Sequence, residues 1–253
     1  FFEMGLDISE CRFMNLIIIV PCYNESKRLE PSAFEGFMKI HPELSYLFVN
    51  DGSKDQTLSI LKKMENHFPK QVKILNLEKN LGKANAVRAG MRAALDEKKY
   101  DRMAFLDADL STPLEDCYGL SKKIDAKTQF VFASRLKKLD NHIQRKWYRF
   151  FIGRIIATLI SKMLRLPLYD TQCGCKIFSS KIVLTAFEKP FISRWLFDVE
   201  IFFRLKKFFG AQLLKISKEV PLNTWIDLGD SRIEPIYGLL VWKDLLKIYR
   251  HYK

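Results

Sequence analysis

The stretch NLIIIVPCYNE, residues 15–25, sets five apolar side chains in a row, Leu16 to Val20, and then breaks into proline and polar groups. A β-branched run without alternation is what a strand needs when both faces of its sheet are covered, the usual state of a parallel sheet. Three further runs repeat the plan: SYLFVN leads into DGSKD, VKILNL into EKNLGK, and RMAFLD into ADLSTP. Helical patterns separate them, over Pro31 to Ile40, Thr57 to Phe68 and the alanine-rich ANAVRAGMRAAL. Strands alternating with helices predict repeated βαβ units, hence an α/β fold with a mostly parallel, Rossmann-like sheet flanked by helices. Ligands of such sheets gather outside the carboxyl ends of the strands. Those ends carry Asn24 and Glu25, then Asp51, then Asn80 to Lys83, then Asp107 and Asp109.

Each end, taken alone, has an ordinary structural reading beside a functional one. In VPCYNE, Pro21 and Glu25 suit a nucleotide pocket, but Asn24 and Ser26 equally suit a capped turn. In VNDGSKD, Asp51 is placed to accept hydrogen bonds from a nucleobase, while DG is a turn signal and Ser53 or Asp55 suits a helix cap. NLGKANA offers Gly82 for close approach and Lys83 at a helix start, where backbone N–H groups favour a phosphate; it lacks the P-loop pattern GxxxxGK[ST]. In FLDADLSTP, residues 105–113, Asp107 and Asp109 are either a solvated turn, the commoner case for this spacing, or ligands for Mg²⁺ or Mn²⁺.

A chain of 253 residues with 48% hydrophobic content can bury a substantial core. Its 42 Lys and Arg against 29 Asp and Glu, a formal charge of +13, favour an anionic partner: nucleic acid, anionic lipid or a phosphorylated substrate. The basic residues are dispersed and no nucleic-acid motif is present, which argues against nucleic acid. Five scattered cysteines and no signal peptide suit a reducing compartment rather than a disulfide framework, and CGC (173–175) lacks the further ligands a zinc site needs. In CGC, Gly174 is expected to permit a close turn while the cysteines pack. Residues 1–13, ahead of the first strand signal, are expected to be an extension foreign to the domain or a loose leader.

After QFVFASR (129–135) the chain turns basic and aromatic. RKWYRFFIGRIIATLISKMLRLPLY is too interrupted by charge to span a bilayer but suits an interfacial helix, with a break expected near Gly153. WLFDVEIFFRLKKFFG predicts a helix ended by Gly210, LLKISKEVPL a strand with an edge-type Pro221, and YGLLVWKDLLKIYRHYK a basic amphipathic helix.

The ordered set PCYNE, VNDGSKD, NLGKANAVRAG, DADLSTP, DTQCGCKIF (170–178) and RWLFDVEIF (194–202) resembles the family-2 glycosyltransferases of GT-A fold, and within them the polyprenyl-phosphate sugar synthases, especially the dolichyl-phosphate β-glucosyltransferase-like branch. The resemblance covers about residues 15–235. It implies a GT-A domain over residues 14–235, with interfacial helices at about 142–168, followed by a basic helix over 236–253. It places Pro21, Tyr23, Glu25 and Asp51 in the nucleotide pocket, Lys83 near the base or diphosphate, and Asp107 and Asp109 at a DxD site for Mg²⁺ or Mn²⁺. Arg135, Arg149 and Arg232 fall where the family puts basic groups for an acceptor phosphate, and Gln172 lies beside that pocket. Ser111 stands where mannose synthases of the group commonly have glutamine, which turns the expectation from GDP-mannose toward UDP-glucose.

The implied reaction is an inverting transfer of a hexose, glucose from UDP-glucose, to a dolichyl or undecaprenyl phosphate, with Asp109, Asp198 and Arg135 at the reacting centre. A phosphate acceptor is already an anion and needs oriented cations. A saccharide hydroxyl, the alternative acceptor in cell-surface polysaccharide synthesis, needs a base, for which Asp198 is the candidate. The expected setting is peripheral, on the cytoplasmic face of a membrane in cell-envelope biosynthesis, with a separate membrane protein as a further expected partner.

Overall fold

The computed structural model describes residues 15–144, 147–226 and 237–253. The expected leader and Arg232 lie outside these, as does the Arg149 side chain within its helix. Four strands, β1 (Leu16–Cys22), β2 (Ser45–Asp51), β3 (Val72–Leu77) and β4 (Arg102–Leu106), alternate with three helices, α1 (Pro31–Ile40), α2 (Thr57–His67) and α3 (Lys83–Asp96). Then follow α4 (Leu114–Ser121), β5 (Phe130–Ser134), β6 (His142–Gln144), α5 (Trp147–Leu164), β7 (Cys175–Ser179) and α6 (Ser180–Phe187). The chain continues through α7 (Phe197–Phe209), α8 (Leu213–Ile216), β8 (Ser217–Pro221), β9 (Thr224–Ile226) and α9 (Tyr237–Tyr252).

The main sheet runs β3-β2-β1-β4-β7-β5-β8, and β6 pairs with β9 beside it. Pairing is parallel throughout the main sheet except at β7, which runs antiparallel between β4 and β5. The non-alternating run in β1 is explained by two cores. Ile17 and Ile19 face one, with α3, α6, α7 and α9; Leu16, Ile18 and Val20 face the other, with α1, α2 and α4. Because β1, β2 and β4 are mutually parallel, their carboxyl ends share one edge, where the polar motifs converge.

Two expectations change in the second half. Helix α5 runs unbroken through Gly153. Its basic side chains need not share one face, because Arg154 turns to the following loop, donating to the Tyr169 carbonyl at 2.7 Å with its guanidinium 3.8 Å from the Tyr169 ring. In LLKISKEVPL, Leu213–Ile216 is one helical turn and the strand begins only at Ser217. Pro221 does lie on the outermost strand, β8, where a missing N–H costs least. Gly210, at φ 57°, ends α7 as expected. In α9, Leu245 and Ile248 are buried while Lys243, Lys247 and Arg250 face outward. Among the described residues no helix is long and apolar enough to cross a membrane.

Helix α3 sits unusually close to the sheet. A Cβ on Gly90 would lie 2.6 Å from Ile19 Cγ2 and 2.8 Å from Val49 Cγ2. Gly90→Val should therefore lose about 1–3 kcal/mol of stability by overpacking. Gly36→Ala in α1, where a methyl meets nothing within 4 Å, should instead gain up to about 1 kcal/mol from helix propensity. Urea unfolding midpoints of the two variants against the parent check both signs.

Candidate functional site

The carboxyl ends of β1, β2 and β4 surround a cavity of about 550 Å³ whose wall includes Pro21, Tyr23, Glu25, Asp51, Lys83, Asp107 and Asp109. The loops after β1 and β2 are sewn together. Ser53 Oγ accepts from Asn24 N, Asn24 Oδ1 from Lys54 N, Thr57 Oγ1 from Glu25 N, and Asp55 from Ser26 N. Glu25 is buried and binds Arg28 through both carboxylate oxygens, each at 2.9 Å. Asp51, 2% exposed, has one oxygen accepting from Leu81 N at 2.7 Å and the other from Gly82 N at 2.9 Å. Its first task is thus to shape the NLGK turn, where Gly82 has φ 85° and delivers Lys83 to the start of α3.

Asp107 and Asp109 follow β4 on either side of buried Ala108. Lys83 Nζ lies 2.5 Å from Asp107 Oδ1. Burial opposes the Lys83 charge, but Asp107 first, and Asp198 and Asp109 with it, hold the ammonium above its ordinary pKa. Asp107 N donates to the Gly174 carbonyl at 3.2 Å, and Asp109 Oδ1 accepts from Ser111 N at 3.1 Å. The glycine of CGC is required by close approach: a Cβ at Gly174 would stand 2.1 Å from Asp107 Oδ2. Cys173 and Cys175 pack in the core, and burial pushes the Cys173 thiol up to about 11.

Among the described residues no three His, Cys, Asp or Glu side chains are grouped to hold a metal. Two carboxylates are too few for a resident ion. They are hard oxygen donors, though, and fit Mg²⁺ or Mn²⁺ when phosphate oxygens and water complete the shell. The pair suits an ion that comes with a diphosphate.

On the far side of Gly174, the loop leading into β7 holds a second charged assembly. Arg135, just past β5, donates from Nε to Asp170 Oδ2 at 2.6 Å and from Nη2 to Asp170 Oδ1 at 2.9 Å. Glu219 on β8 accepts from the backbone N–H groups of Tyr169 and Asp170, which fixes that loop. Against the cost of burial, the Arg135 fork holds the Asp170 carboxyl well below the ordinary carboxylate range. Gln172 is exposed at the loop's surface, its N–H donating to Asp170 Oδ1.

Asp198, in the first turn of α7, is not part of the cavity wall. It is 5% exposed, and Lys176, itself fully buried on β7, donates to its Oδ1 at 2.5 Å and to the Cys173 carbonyl at 2.8 Å. Burial pushes the Asp198 carboxyl above its ordinary value, against the pull of Lys176 and Lys83.

The geometry thus gathers Pro21, Tyr23, Glu25, Asp51, Lys83, Asp107 and Asp109 in one cavity and sets Arg135, Gln172 and Asp198 around the loop behind Asp107. Sequence reasoning missed Lys176, Asp170, Glu219, and the cavity residues Arg28, Arg194 and Trp195, while Asn80 of the expected strand end does line the cavity. A lysine inside the apolar strand CKIFS was the one plain signal, since a buried ammonium demands a partner.

An α/β sheet whose strand ends bring two carboxylates, a lysine and a helix start to one cleft has the architecture in which nucleotides and their diphosphates commonly bind. The chain matches the family model for Glycosyl transferase family 2 over residues 17–186 and belongs to that family. It is a glycosyltransferase of GT-A fold, in the branch of the dolichyl-phosphate β-glucosyltransferases. It is 31% identical to the dolichyl-phosphate beta-glucosyltransferase of Homo sapiens, over 94% of this chain and 75% of that protein. The Dictyostelium discoideum protein of the same name is also 31% identical, over 94% of this chain and 74% of its own. The fold is shared with glucosyl-3-phosphoglycerate synthase from Mycobacterium tuberculosis bound to UDP, with TM-score 0.66 and 17% identity over 93% of this chain and 80% of that one. The same enzyme with Mn²⁺, UDP-glucose and phosphoglyceric acid also gives TM-score 0.66, at 16% identity and the same coverage.

The depressed Asp170 carboxyl sets a pH signature. Its stabilising contribution is complete above the unfolded-state value of about 3.9 and is lost as pH falls through the lower folded value. Asp170→Asn should be less stable than the parent at pH 7 and should lose less on acidification below about pH 4. Urea titrations at pH 7, 4 and 3 measure the difference, and parallel acid limbs would contradict it.

Proposed function

We propose that the protein moves glucose, with inversion, from UDP-glucose to a polyprenyl phosphate, dolichyl or undecaprenyl, using Mg²⁺ or Mn²⁺. The acceptor class is that in the names of its curated relatives, and UDP, UDP-glucose and Mn²⁺ are those of the neighbouring solved enzyme. The observation in this chain that carries the reading is the division of labour behind Asp107. Arg135 is held there as an oriented cation, while Asp198, the available base, is buried against Lys176 and lies off the cavity wall.

In this reading the acceptor phosphate oxygen attacks the anomeric carbon from the side opposite the leaving diphosphate. The new C–O bond forms as the bond to the diphosphate oxygen breaks. No proton has to move, so no base is required, and UDP leaves carrying the charge. Asp107 and Asp109 would hold the metal, which supplies charge neutralisation for the departing diphosphate. Lys83, already beside Asp107, adds a fixed cation at the same place. Pro21, Tyr23, Glu25 and Asp51 contribute the pocket for the nucleoside. Arg135, with Gln172 beside it, receives the acceptor phosphate, and Arg149 and Arg232 are further candidates for it. Phe151 and Ile155 of α5, 60% and 61% exposed, are apolar groups suited to a lipid tail or bilayer surface in a peripheral, cytoplasmic-face setting.

A screen of UDP release from UDP-sugars with Mn²⁺, with and without polyprenyl phosphate, tests the donor and acceptor together. UDP-glucose turnover should depend on the lipid phosphate, and Asp109→Ala should lower kcat by about a hundredfold or more. Asp198→Asn removes the base but keeps an amide oxygen to accept from Lys176, so the Lys176 bond to the Cys173 carbonyl is retained. It should keep kcat within about tenfold of the parent; a loss of about a thousandfold or more would assign Asp198 the role of base and the acceptor a hydroxyl.

A further inference from the structure

Three cations line the cavity: Arg28, Lys83 and Arg194. Arg28 is forked onto Glu25, and Lys83 is paired with Asp107. Among the described residues Arg194 has no carboxylate partner; its Nη2 donates to the neutral amide oxygen of Asn80 at 3.0 Å. Its guanidinium lies directly over Gly82, where a Cβ would meet Nε at 2.6 Å. Asn80 and Gly82 belong to the turn that opens α3. A guanidinium with no carboxylate partner among the described residues thus lies against Gly82 at the start of α3, in the wall of the same cavity as Asp107 and Asp109.

The loop that carries Arg194 is not loose. Ser193, 2% exposed, donates from Oγ to Asp244 Oδ2 at 2.6 Å, and the same Oγ accepts from the N–H groups of Trp195 and Leu196. Asp244 belongs to α9. One helical stretch further on, Tyr252 donates to Glu200 Oε1 at 2.8 Å, and the other oxygen of Glu200 accepts from Ile192 N at 2.8 Å. Arg204 closes the set, donating to Glu200 and to the carbonyls of Ala186, Lys189 and Pro190. The chain's last helix therefore grips the loop at Ser193 directly and at Ile192 through Glu200.

We propose that Arg194 binds the diphosphate of the donor, and that α9 positions it through the Asp244–Ser193 hydrogen bond, making the C-terminal helix part of the donor site. This rests on the nucleotide-sugar reading above. The charge requirement agrees. A nucleoside diphosphate carries more than one negative charge, Lys83 is shared with Asp107, and a bidentate guanidinium is the donor best matched to phosphate oxygens.

Titration of uridine and of UDP with Mn²⁺, followed by tryptophan fluorescence or calorimetry, tests this without needing turnover. Arg194→Ala should weaken UDP by about tenfold or more and leave uridine unchanged. Asp244→Ala should weaken UDP in the same selective way, and Asp244→Asn, which keeps an oxygen for Ser193 Oγ, should restore most of the affinity. If Arg194→Ala binds UDP as the parent does, the inference fails and the donor reading stands. If Asp244→Ala weakens uridine and UDP equally, α9 serves stability alone and the positioning claim fails. If the parent binds neither UDP nor GDP, the donor reading falls and this inference with it.

Discussion

The ammonium of Lys176 is buried at the centre of the sheet, and its partner Asp198 is buried on α7. Neither charge is stable there without the other. Desolvation of two ions costs several kcal/mol each in real proteins, and removing one partner of such a pair costs about 3–5 kcal/mol. The constraint propagates, because Lys176 also donates to the Cys173 carbonyl and so fixes the chain just before Gly174. Gly174 in turn takes the Asp107 N–H and leaves its own Cα hydrogen against the Asp107 carboxylate. The position of the DxD pair is thus referred back, through one glycine, to an ion pair in the core. A structural charge and a site charge are parts of one arrangement.

The four carboxylates of the cleft show how such an arrangement keeps acids side by side. Glu25 is neutralised by Arg28, Asp51 is stabilised by two backbone N–H groups, Asp107 is paired with Lys83, and Asp109, among the described residues, takes only the Ser111 N–H. Asp109 is therefore the acid least committed to the protein. On the proposed reading, a cation entering the cleft would meet one carboxylate with few ties to the protein and one already balanced, so an ion would be held weakly until phosphate oxygens joined it. That ordering suits a metal that travels with its nucleotide.

Much of this was legible in the sequence, for physical reasons that also explain the misses. Leu16 to Val20 could be read as a doubly covered strand because alternate residues must go to opposite faces, and both faces had to be apolar. Polar strand ends could be read as a site because a parallel sheet puts them on one edge. What sequence spacing does not carry is contact between distant segments. Gly174 gave a turn reading from its neighbours, whereas its reason lies 67 positions away in Asp107. The contacts of Arg194, Asp170 and Glu219 could not be read from spacing because their partners, Asn80, Arg135 and two backbone N–H groups, come from other elements. The break expected at Gly153 failed for a similar reason. Basic residues on two faces of one helix conflict only if both faces need to be apolar, and Arg154 finds the Tyr169 ring and carbonyl instead.

Arg135 raises the opposite question, whether a side chain so fully engaged has anything left to offer. A guanidinium has five N–H groups, and the fork onto Asp170 uses one on Nε and one on Nη2. The three that remain are held in a plane fixed by that fork, by the anchoring of the Asp170 backbone N–H to Glu219, and by the Trp225 ring 5.2 Å away. Pairing therefore does not spend the cation. It removes the rotamer freedom that a phosphate would otherwise have to remove on binding, and it keeps a net charge distribution in which Asp170 balances the resting state. On the proposed reading, an incoming phosphate would compete only for the remaining N–H groups, where orientation rather than bulk attraction would decide which oxygen points at the sugar. For an acceptor that brings its own negative charge, this placement contributes what a general base contributes for a hydroxyl.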